Sequence, residues 1–383
     1  MQSERLKRLP PYLFAEIDAK KRAMREKGVD IIDLSIGDPD IPTPKHVIEA
    51  FCEGAHDARN HRYPPYNGTQ EFREAAVSYL KETKGVDLDP NSEALTLIGS
   101  KEGIAHAPLA FLDPGDVVLI PSPGYPVYTT ASLLSGCVPY EMPLKKENGF
   151  LPDLGSIPKD VLKKAKLIFL NYPNNPTAAV ATKDFFKDAV DFAKGNGLVL
   201  CHDAAYIDIV YDGYKAPSIL EVPGAKDVAV EFYSLSKTYN MTGWRLGFAA
   251  GNKGLIESLG KLKTNIDSSA TAAVQHGGAV AMTSSQDCVV NACKTYKNRR
   301  DVLVEALNKK GWNVVKPKAT FYVWVEIPTK EDSRSFASKI LEKTGVVVTP
   351  GLGFGSAGEG FIRFSVSYPT ERIEEAVHRI SSL

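Results

Sequence analysis

Apolar residues between positions 69 and 85 recur at the spacing of one helical face. The positions i, i+3, i+4, i+7 and i+8 of that face are occupied by Phe72, Ala75, Ala76, Tyr79 and Leu80. Thr69 precedes them as a candidate N-cap, because its hydroxyl can accept a hydrogen bond from an unpaired backbone amide, and Gly85 follows as a stop signal. The pattern predicts an amphipathic helix that covers a buried core.

Five short runs that follow are almost continuously apolar, as is typical of strands buried on both faces. They lie at 117–121, 167–173, 197–203, 228–236 and 246–251. A helical pattern at 182–197 separates two of these runs, which indicates βαβ crossovers. We therefore predict an α/β fold: a large domain of three layers around a mainly parallel sheet.

The pattern changes beyond about residue 285. A long helical stretch is followed by two runs of alternating polarity at 320–328 and 360–367, which predict half-buried antiparallel strands with one helix layer. Pro10, Pro11 and the stretch GDPDIPTP (37–44) predict extended backbone that packs on the same domain. The expected division is an N-terminal arm with part of a small domain in 1–45, a large domain in 46–285 and a C-terminal small domain in 286–383.

Composition narrows the possible partners. The chain has 383 residues with 46 basic and 46 acidic side chains, so no overall field attracts nucleic acid or anionic lipid. No apolar run is long enough for a signal peptide or a membrane span, so we expect a cytoplasmic protein. The five cysteines are scattered without C-x-x-C spacing, which indicates reduced thiols and no metal site.

Three of the predicted strands are followed by polar clusters. These clusters are NYPNNPT (171–177), HDAAY (202–206) and SLSK (234–237). In open α/β sheets, ligands bind in the crevice beyond the carboxyl ends of the strands, so clusters that are distant in sequence converge there. The sequence therefore predicts one ligand site built from all three.

The side chains in these clusters suit a particular ligand. Arg245 and the neighbouring hydroxyls fit a phosphate monoester, and Asp203 can pair with a protonated ring nitrogen. Tyr206 and Asn175 can donate to a phenolate oxygen, and Lys237 can condense with an aldehyde once burial and nearby cations lower its pKa. Pyridoxal 5'-phosphate has all four features, so we predict that it is the cofactor.

Motifs along almost the whole chain resemble the fold-type I pyridoxal-phosphate aminotransferases, also called class I/II. The resemblance implies an aspartate-aminotransferase-like fold. It lies in IGDPD (36–40), YPPYNG (63–68), IGSKEG (98–103), PSPGYPVY (121–128), the three clusters above, the extension TYNMTGWRLG (238–247) and FIRFSVS (361–367). The narrower similarity is to LL-diaminopimelate aminotransferases, and it lies in PPYLFAEID (10–18), LIGSKEGIAH (97–106), SLSKTYNMTGWR (234–245), KTNIDSS (263–269) and PKATFYVW (317–324).

The resemblance implies a role for each residue of the cofactor site. Lys237 would bind the cofactor's aldehyde covalently and carry the proton between the substrate and the cofactor. Asp203 would keep the pyridine nitrogen protonated. Asn175 and Tyr206 would bond to the phenolate oxygen, and Tyr125 would stack on the ring.

The resemblance also assigns the anion sites. The cofactor phosphate would be bound by the backbone amides of Ser100 and Lys101 together with Ser234, Ser236 and Arg245. Tyr63 would reach the phosphate from a neighbouring subunit, which implies a homodimer with shared active sites. Arg363 would clamp the substrate's α-carboxylate, helped by the backbone amide of Gly37 and by Asn175.

The reaction that follows from the resemblance is transamination between an amino acid and a 2-oxo acid. The narrower similarity implies LL-2,6-diaminopimelate and 2-oxoglutarate as substrates, with tetrahydrodipicolinate and glutamate as products, in lysine biosynthesis. Two alternatives stay open: an aminotransferase for aspartate, alanine or aromatic amino acids, and a C–S β-lyase on the same scaffold.

Several positions allow a second interpretation. His202 fits a buried structural histidine better than a catalytic one, and Lys101 fits a solvated surface lysine as well as a substrate contact. GFGSAG (353–358) matches the dinucleotide fingerprint, but a strand pattern follows it where a helix is required, so we predict a loop. Ala178 and Ser269 stand where the family usually has glycine, and a positive φ at Ala178 would strain the backbone.

Overall fold

A computed structural model of the chain describes residues 1–9 and 15–380, without the side chains of residues 15 and 16. The extended backbone predicted at Pro10 and Pro11, and much of the motif at 10–18, therefore lie outside the described residues. The helices are α1 (Glu4–Lys7), α2 (Ala15–Glu26), α3 (Lys45–His56), α4 (Gln70–Lys84), α5 (Ser100–Phe111), α6 (Val127–Leu134), α7 (Lys159–Leu162), α8 (Lys183–Asn196), α9 (Leu235–Thr238), α10 (Lys253–Lys263), α11 (Ala272–Thr283), α12 (Asp287–Lys309), α13 (Ser333–Thr344) and α14 (Thr370–Ile380). The strands are β1 (Ile32–Asp33), β2 (Ala94–Leu97), β3 (Val117–Ser122), β4 (Val138–Pro143), β5 (Ala165–Asn171), β6 (Val199–Asp203), β7 (Ala229–Ser234), β8 (Gly247–Gly251), β9 (Tyr322–Glu326), β10 (Val346–Val347), β11 (Thr349–Pro350) and β12 (Phe361–Ser365).

In the described residues, a seven-stranded sheet organises the first two thirds of the chain. The strand order is β2-β8-β7-β6-β5-β3-β4. The pairs from β4 to β7 are parallel, whereas β8 runs antiparallel to both β7 and β2. All five predicted strands are present and the sheet is mainly parallel, which confirms the predicted fold class.

Strand β4 is an element that the hydrophobic pattern did not predict. Val138 is 52% exposed, and Pro139 and Pro143 interrupt the run. Proline is tolerated at the edge of a sheet, where its missing amide costs no ladder hydrogen bond. An exposed edge strand of this composition therefore lacks the apolar signal that marked the central strands.

Helix α4 shows how the sequence determines its own ends. Thr69 accepts a hydrogen bond from the backbone amide of Phe72 at 3.3 Å, and Gly85 ends the helix in the left-handed conformation with φ 68°. The five residues predicted to form the apolar face are all buried. The predicted helix is confirmed together with its caps.

A second core lies under a three-stranded antiparallel sheet of order β11-β12-β9. In the described residues, β1 from the N-terminal part pairs in parallel with β10, so both ends of the chain contribute to this region. The antiparallel pairing is as predicted, but the half-buried character predicted for both strands is wrong, since the first four residues of β9 and the last four of β12 are buried. Ile362 and Phe364 face the core, and Arg363 and Ser365 on the opposite face are also buried, because that face covers the candidate site.

Two non-glycine residues adopt the left-handed conformation at the family's glycine positions. Ala178 has φ 58° and Ser269 has φ 68°. The strain considered for Ala178 is therefore present, at about 1–2 kcal/mol for an L-residue. The hydroxyl oxygen of Ser269 is in addition buried without a hydrogen-bond partner among the described residues.

The GFGSAG stretch forms two short 3-10 turns, Gly351–Phe354 and Ser356–Gly358, that lead directly into β12. A dinucleotide fingerprint requires a strand before it and a helix after it, so this stretch is a loop, as predicted. The domain limits at 45/46 and 285/286 stay a prediction. Within residues 1–9 and 15–380, no helix combines the length and the apolar character that crossing a bilayer requires.

Candidate active site

The three polar clusters meet at the carboxyl ends of β5, β6 and β7. These strands are neighbours in the sheet, and the paired residues Asn171 and Asp203 bring two of the clusters side by side. Above them lies a cavity of about 710 Å³. Its wall includes nearly every residue that the sequence singled out: Gly37, Ser100, Lys101, Tyr125, Asn175, Asp203, Tyr206, Ser234, Ser236, Lys237, Arg245 and Arg363.

One end of the cavity is built to receive an anion. Helix α5 begins at Ser100, and the amides of a helix's first turn point out of its end without intrahelical partners. Arg245 lies against this end, and its Nη1 is 3.3 Å from the Ser236 hydroxyl oxygen. A β-carbon at Gly99 would collide with the Arg245 guanidinium, so glycine is what allows the arginine to approach the helix so closely.

Asp203 supplies a buried negative charge deeper in the cavity. It accepts hydrogen bonds from the Tyr128 hydroxyl at 2.8 Å and from the backbone amide of Ala205 at 3.2 Å. Burial raises the pKa of Asp203, while these bonds and the charges of His202 and Lys237 oppose the rise. The ionised carboxylate would therefore be stabilised by a cationic partner in the cavity.

Lys237 lies in the one-turn helix α9 directly after β7. Its Nζ donates to the carbonyl oxygen of Gly37 at 3.0 Å. Burial, together with the positive charges of Arg245 and Arg363, lowers the pKa of Lys237 to about 8 against the opposing effects of Asp38 and Asp203. An amine with this pKa is partly neutral near physiological pH, which is the form that attacks a carbonyl carbon.

Arg363 is 6% exposed and forms the opposite wall. Its two terminal nitrogens donate to Asn175 Oδ1 at 2.7 Å and to the carbonyl oxygen of Ser35 at 2.6 Å. The guanidinium carbon lies 4.1 Å from the centre of the Tyr322 ring and 4.7 Å from that of Phe354. Each terminal nitrogen has a second N–H, so donors remain for a bound carboxylate, while Nε is buried without a hydrogen-bond partner among the described residues.

Two tyrosines complete the predicted set. The Tyr206 hydroxyl lies 3.0 Å from that of Tyr322, and burial raises the pKa of Tyr206 well above its usual value. Burial also raises the pKa of Tyr125, to about 12. Both phenols therefore stay protonated at neutral pH, and each has a hydroxyl proton to donate.

Tyr63 is the predicted site residue that the chain does not bring into the cavity. Its side chain is 88% exposed, and it is absent from the cavity wall. The role considered for it requires a second copy of the chain, so the prediction stays untested.

Sequence reasoning missed two tyrosines that support the site. Tyr128 bonds to Asp203, and Tyr322 stacks on Arg363 and bonds to Tyr206. Tyr322 on β9 pairs with Ser365 on β12, which lies two residues after Arg363. The register of these two strands therefore indicates that Tyr322 lies near Arg363. A β-carbon at Gly37 would collide with the Tyr322 hydroxyl, which explains the glycine there.

The donor set fits pyridoxal phosphate. The α5 terminus, Arg245 and Ser236 match its phosphate, and the buried Asp203 carboxylate matches its pyridinium nitrogen. The Tyr206 hydroxyl and the amide nitrogen of Asn175, whose Oδ1 is engaged by Arg363, match its phenolate oxygen. A partly neutral lysine amine completes the match.

Comparison with known proteins decides the family. The profile of the family described as aminotransferase class I and II matches residues 29–380. The chain belongs to this family. Its members depend on pyridoxal phosphate and act on amino and oxo acids, so the aminotransferase prediction is confirmed at this level.

Individual relatives align with the aminotransferase over nearly its full length. It is 54% identical to an LL-diaminopimelate aminotransferase of Moorella thermoacetica, over 99% of this chain and 97% of the relative. It is 53% identical to an LL-diaminopimelate aminotransferase of Aquifex aeolicus, over 100% and 98%. A mutant aspartate aminotransferase of Thermus thermophilus, 30% identical, superposes with a TM-score of 0.94 over 100% of this chain and 99% of that one. The aspartate-aminotransferase-like fold is confirmed.

Proposed function

We propose that the protein is an LL-diaminopimelate aminotransferase that uses pyridoxal phosphate and passes the amino group to 2-oxoglutarate. The observation that carries the proposal is the identity of 53–54% to relatives of that name, over nearly the full length of both chains. The products would be glutamate and tetrahydrodipicolinate, formed when the oxo acid cyclises. The reaction belongs to lysine biosynthesis.

The residues that hold the cofactor follow from the cavity wall. The first turn of α5 at Ser100 and Lys101, with Ser234, Ser236 and Arg245, binds the phosphate. Asp203 pairs with the ring nitrogen and is kept in place by Tyr128 at 2.8 Å. Asn175 and Tyr206 donate to the phenolate oxygen, and Tyr125 covers the ring.

When bound, pyridoxal phosphate supplies an aldehyde for amine exchange and an electron-withdrawing ring that stabilises negative charge at the substrate Cα. Lys237 would hold the cofactor's aldehyde through its Nζ. As a free amine it would take the proton from the substrate Cα as a general base, a task suited to a group with a pKa of about 8.

Arg363 orients the substrate. Its guanidinium is fixed by Asn175 and by the carbonyl oxygen of Ser35, and the Tyr322 and Phe354 rings shield it from water. A carboxylate that docks on a charged and already oriented donor loses little binding energy to reorganisation. The Gly37 backbone, which lines the cavity beside Lys237, completes the carboxylate site.

The wall also suits a substrate that carries a second amino-acid group at its far end. Both signs of charge line it, since Asp18, Asp38 and Lys101 all belong to the wall. A distal ammonium and a distal carboxylate would each find an opposite charge there. Aspartate and alanine have no such distal pair, so these charges favour diaminopimelate over both.

We also infer a homodimer with shared active sites. Tyr63 is highly exposed and is absent from the wall of its own chain's cavity, where the phosphate to which it is assigned would bind. A second copy would present Tyr63 at the phosphate end. Sedimentation equilibrium would give the mass of two chains, and Tyr63→Ala would raise the dissociation constant for the cofactor.

A half-reaction assay tests the proposed function. The purified protein is saturated with pyridoxal phosphate, single amino acids are added, and the absorbance band of the bound cofactor is followed. LL-diaminopimelate should convert the cofactor to its amino form, and 2-oxoglutarate should restore the band with one glutamate formed. Conversion by aspartate or alanine without conversion by LL-diaminopimelate would contradict the substrate assignment.

The same assay separates the alternative activities. A C–S β-lyase releases pyruvate and ammonia from a cysteine-type donor without any oxo acid. Omitting 2-oxoglutarate must therefore stop turnover if the proposal is right. Sustained product release in its absence would favour the lyase.

A further inference from the structure

A buried histidine–carboxylate pair lies next to the strand end that carries Asp203, and no step proposed so far uses it. His202 on β6 and Glu231 on β7 are register partners in the sheet, and both are 0% exposed. His202 Nδ1 lies 2.6 Å from Glu231 Oε1. His202 also immediately precedes Asp203, the residue assigned to the pyridine nitrogen.

The Glu231 carboxylate is fully buried and receives hydrogen bonds from protein groups. Besides His202, the backbone amide of Ile219 donates to its carboxylate at 3.2 Å, and the hydroxyls of Ser218 and Tyr233 donate to the other oxygen. These donors hold the pKa of Glu231 below its usual value despite its burial, so the carboxylate is charged. A buried charge of this kind is rarely a net source of stability, since apolar residues of similar volume often do as well or better.

The second nitrogen of His202 faces the strand on the other side. Nε2 lies 3.2 Å from the backbone nitrogen and 3.0 Å from the carbonyl oxygen of Tyr172, directly after β5. Next to this contact, the Asn171 amide donates to the carbonyl oxygen of Asp203 at 2.7 Å and its Oδ1 accepts from the Asn175 backbone at 2.8 Å. His202 thus links β5, β6 and β7 at the level where each strand gives way to its polar cluster.

We propose that His202, oriented by Glu231, is a positioning residue that fixes the Asp203 carboxylate and the 171–175 segment beneath the cofactor ring. This proposal rests on the proposed cofactor site. The imidazole bonds to both neighbouring strands, so Asp203 and Asn175 keep one relative position. Charges near Asp203 also act on it directly, and His202 is among those that favour its ionised form.

A double-mutant cycle with Asp203 distinguishes positioning from general support of the fold. The probe is pyridoxamine 5'-phosphate, which has no aldehyde and binds without a covalent bond. Its dissociation constant is measured by tryptophan fluorescence for wild type, His202→Asn, Asp203→Asn and the double variant. His202→Asn should weaken binding about tenfold in the wild-type background and less than about twofold beside Asp203→Asn, because its effect passes through the carboxylate.

Equal weakening in both backgrounds would overturn the proposal, since it would show that His202 acts independently of Asp203. Glu231→Gln repeats the cycle with almost no change of shape and covers the case in which His202→Asn does not fold. Failure of both variants to fold would also overturn it, because the pair would then serve folding itself.

His276→Asn is the matched control. It removes another histidine–carboxylate pair of the same region, His276 Nδ1 to Glu71 Oε1 at 2.8 Å, on helices α11 and α4. Probe affinity should not change in this variant. If wild type itself fails to bind the probe, the proposed cofactor site is wrong, an outcome distinct from an additive cycle.

Discussion

Two lysines in the same α/β region have opposite surroundings. Lys237 lines the cavity, donates to the carbonyl oxygen of Gly37, and is subject to the positive charges of Arg245 and Arg363. Lys263, at the end of α10, is 0% exposed, and its Nζ lies 3.0 Å from both Glu102 Oε2 and Asp267 Oδ1. In the described residues, Lys237 has no carboxylate at ion-pair distance, whereas the Lys263 amine has two.

The difference shows that burial alone does not make a lysine reactive. Both lysines are buried, but two carboxylates form ion pairs with Lys263, whereas in the described residues no carboxylate forms an ion pair with Lys237. Glu102, His106 and Asp267 also have the spacing of a metal site, and the Lys263 ammonium lies between its two carboxylates. The structural Lys263 and the nucleophilic Lys237 therefore differ in the residues that surround them. Most of these residues are distant in sequence, so the sequence alone does not show the difference.

The largest expected effect comes from replacing Lys237 with arginine. The variant keeps the positive charge but cannot form the covalent bond or accept the substrate proton, because a guanidinium stays protonated. We expect the kcat for LL-diaminopimelate to fall by at least about 10⁴-fold. Lys81→Arg, at an exposed ion pair with Asp87, is the control and should keep full activity. Residual activity within tenfold of wild type would contradict the role of Lys237.

Replacing Lys263 with methionine should act on stability. The change takes from Glu102 and Asp267, both largely buried, the ammonium that pairs with each of them, and removing one member of a buried ion cluster costs about 3–5 kcal/mol. The free energy of unfolding from urea titration should fall by that amount. A loss below about 1 kcal/mol would mean that the cluster is solvated in solution.

The next effect depends on pH and is measured on the cofactor-free protein. The pKa of Lys237 is about 8 when folded and near 10.5 when unfolded, so between these values the unfolded chain binds more protons and stability rises with pH. Lys237→Met removes this term. The variant should be more stable than wild type by about 3 kcal/mol below pH 8, and the difference should vanish toward pH 10.5. A difference that does not vary with pH would show that the pKa of Lys237 is not lowered.

The smallest effects concern the two strained positions. Ser269→Gly removes left-handed strain and a buried hydroxyl without a partner, so we expect a gain of about 1–2 kcal/mol after the extra unfolded-chain entropy of glycine is subtracted. Ala178→Gly relieves similar strain but loses a buried methyl group, so its net change should stay within about 1 kcal/mol. Thermal unfolding of the two variants would test whether Ser269→Gly gains more stability than Ala178→Gly. A loss of stability in Ser269→Gly would contradict the prediction.

The sequence predicted the central sheet because buried parallel strands are apolar along their whole length. The same rule missed β4, whose exposed edge tolerates Pro139 and Pro143. It also placed Arg363 on a polar face correctly but expected half-burial. The polar face of a strand is also buried when it faces a cavity that other parts of the chain cover. The alternation of polar and apolar residues does not indicate this burial.

At the site, convergence of the three clusters was predictable, since strand ends at one edge of a sheet lie together. Tyr128 and Tyr322 were missed, because the position of Tyr128 depends on helix α6 and that of Tyr322 on the register between β9 and β12. The Lys263 cluster was missed for a related reason. Lys263 and Asp267 are four positions apart, but Glu102 lies 165 positions before Asp267, and no local pattern joins it to them.

Chemical labelling tests the contrast between the two lysines most directly. The protein is incubated with pyridoxal phosphate over a range of pH, reduced with borohydride, digested and mapped by mass spectrometry. The account predicts that the reduced cofactor is attached to the peptide containing Lys237, with labelling that rises around pH 8, and that Lys263 stays unmodified. Labelling of Lys263, or an unmodified Lys237 at every pH, would contradict it.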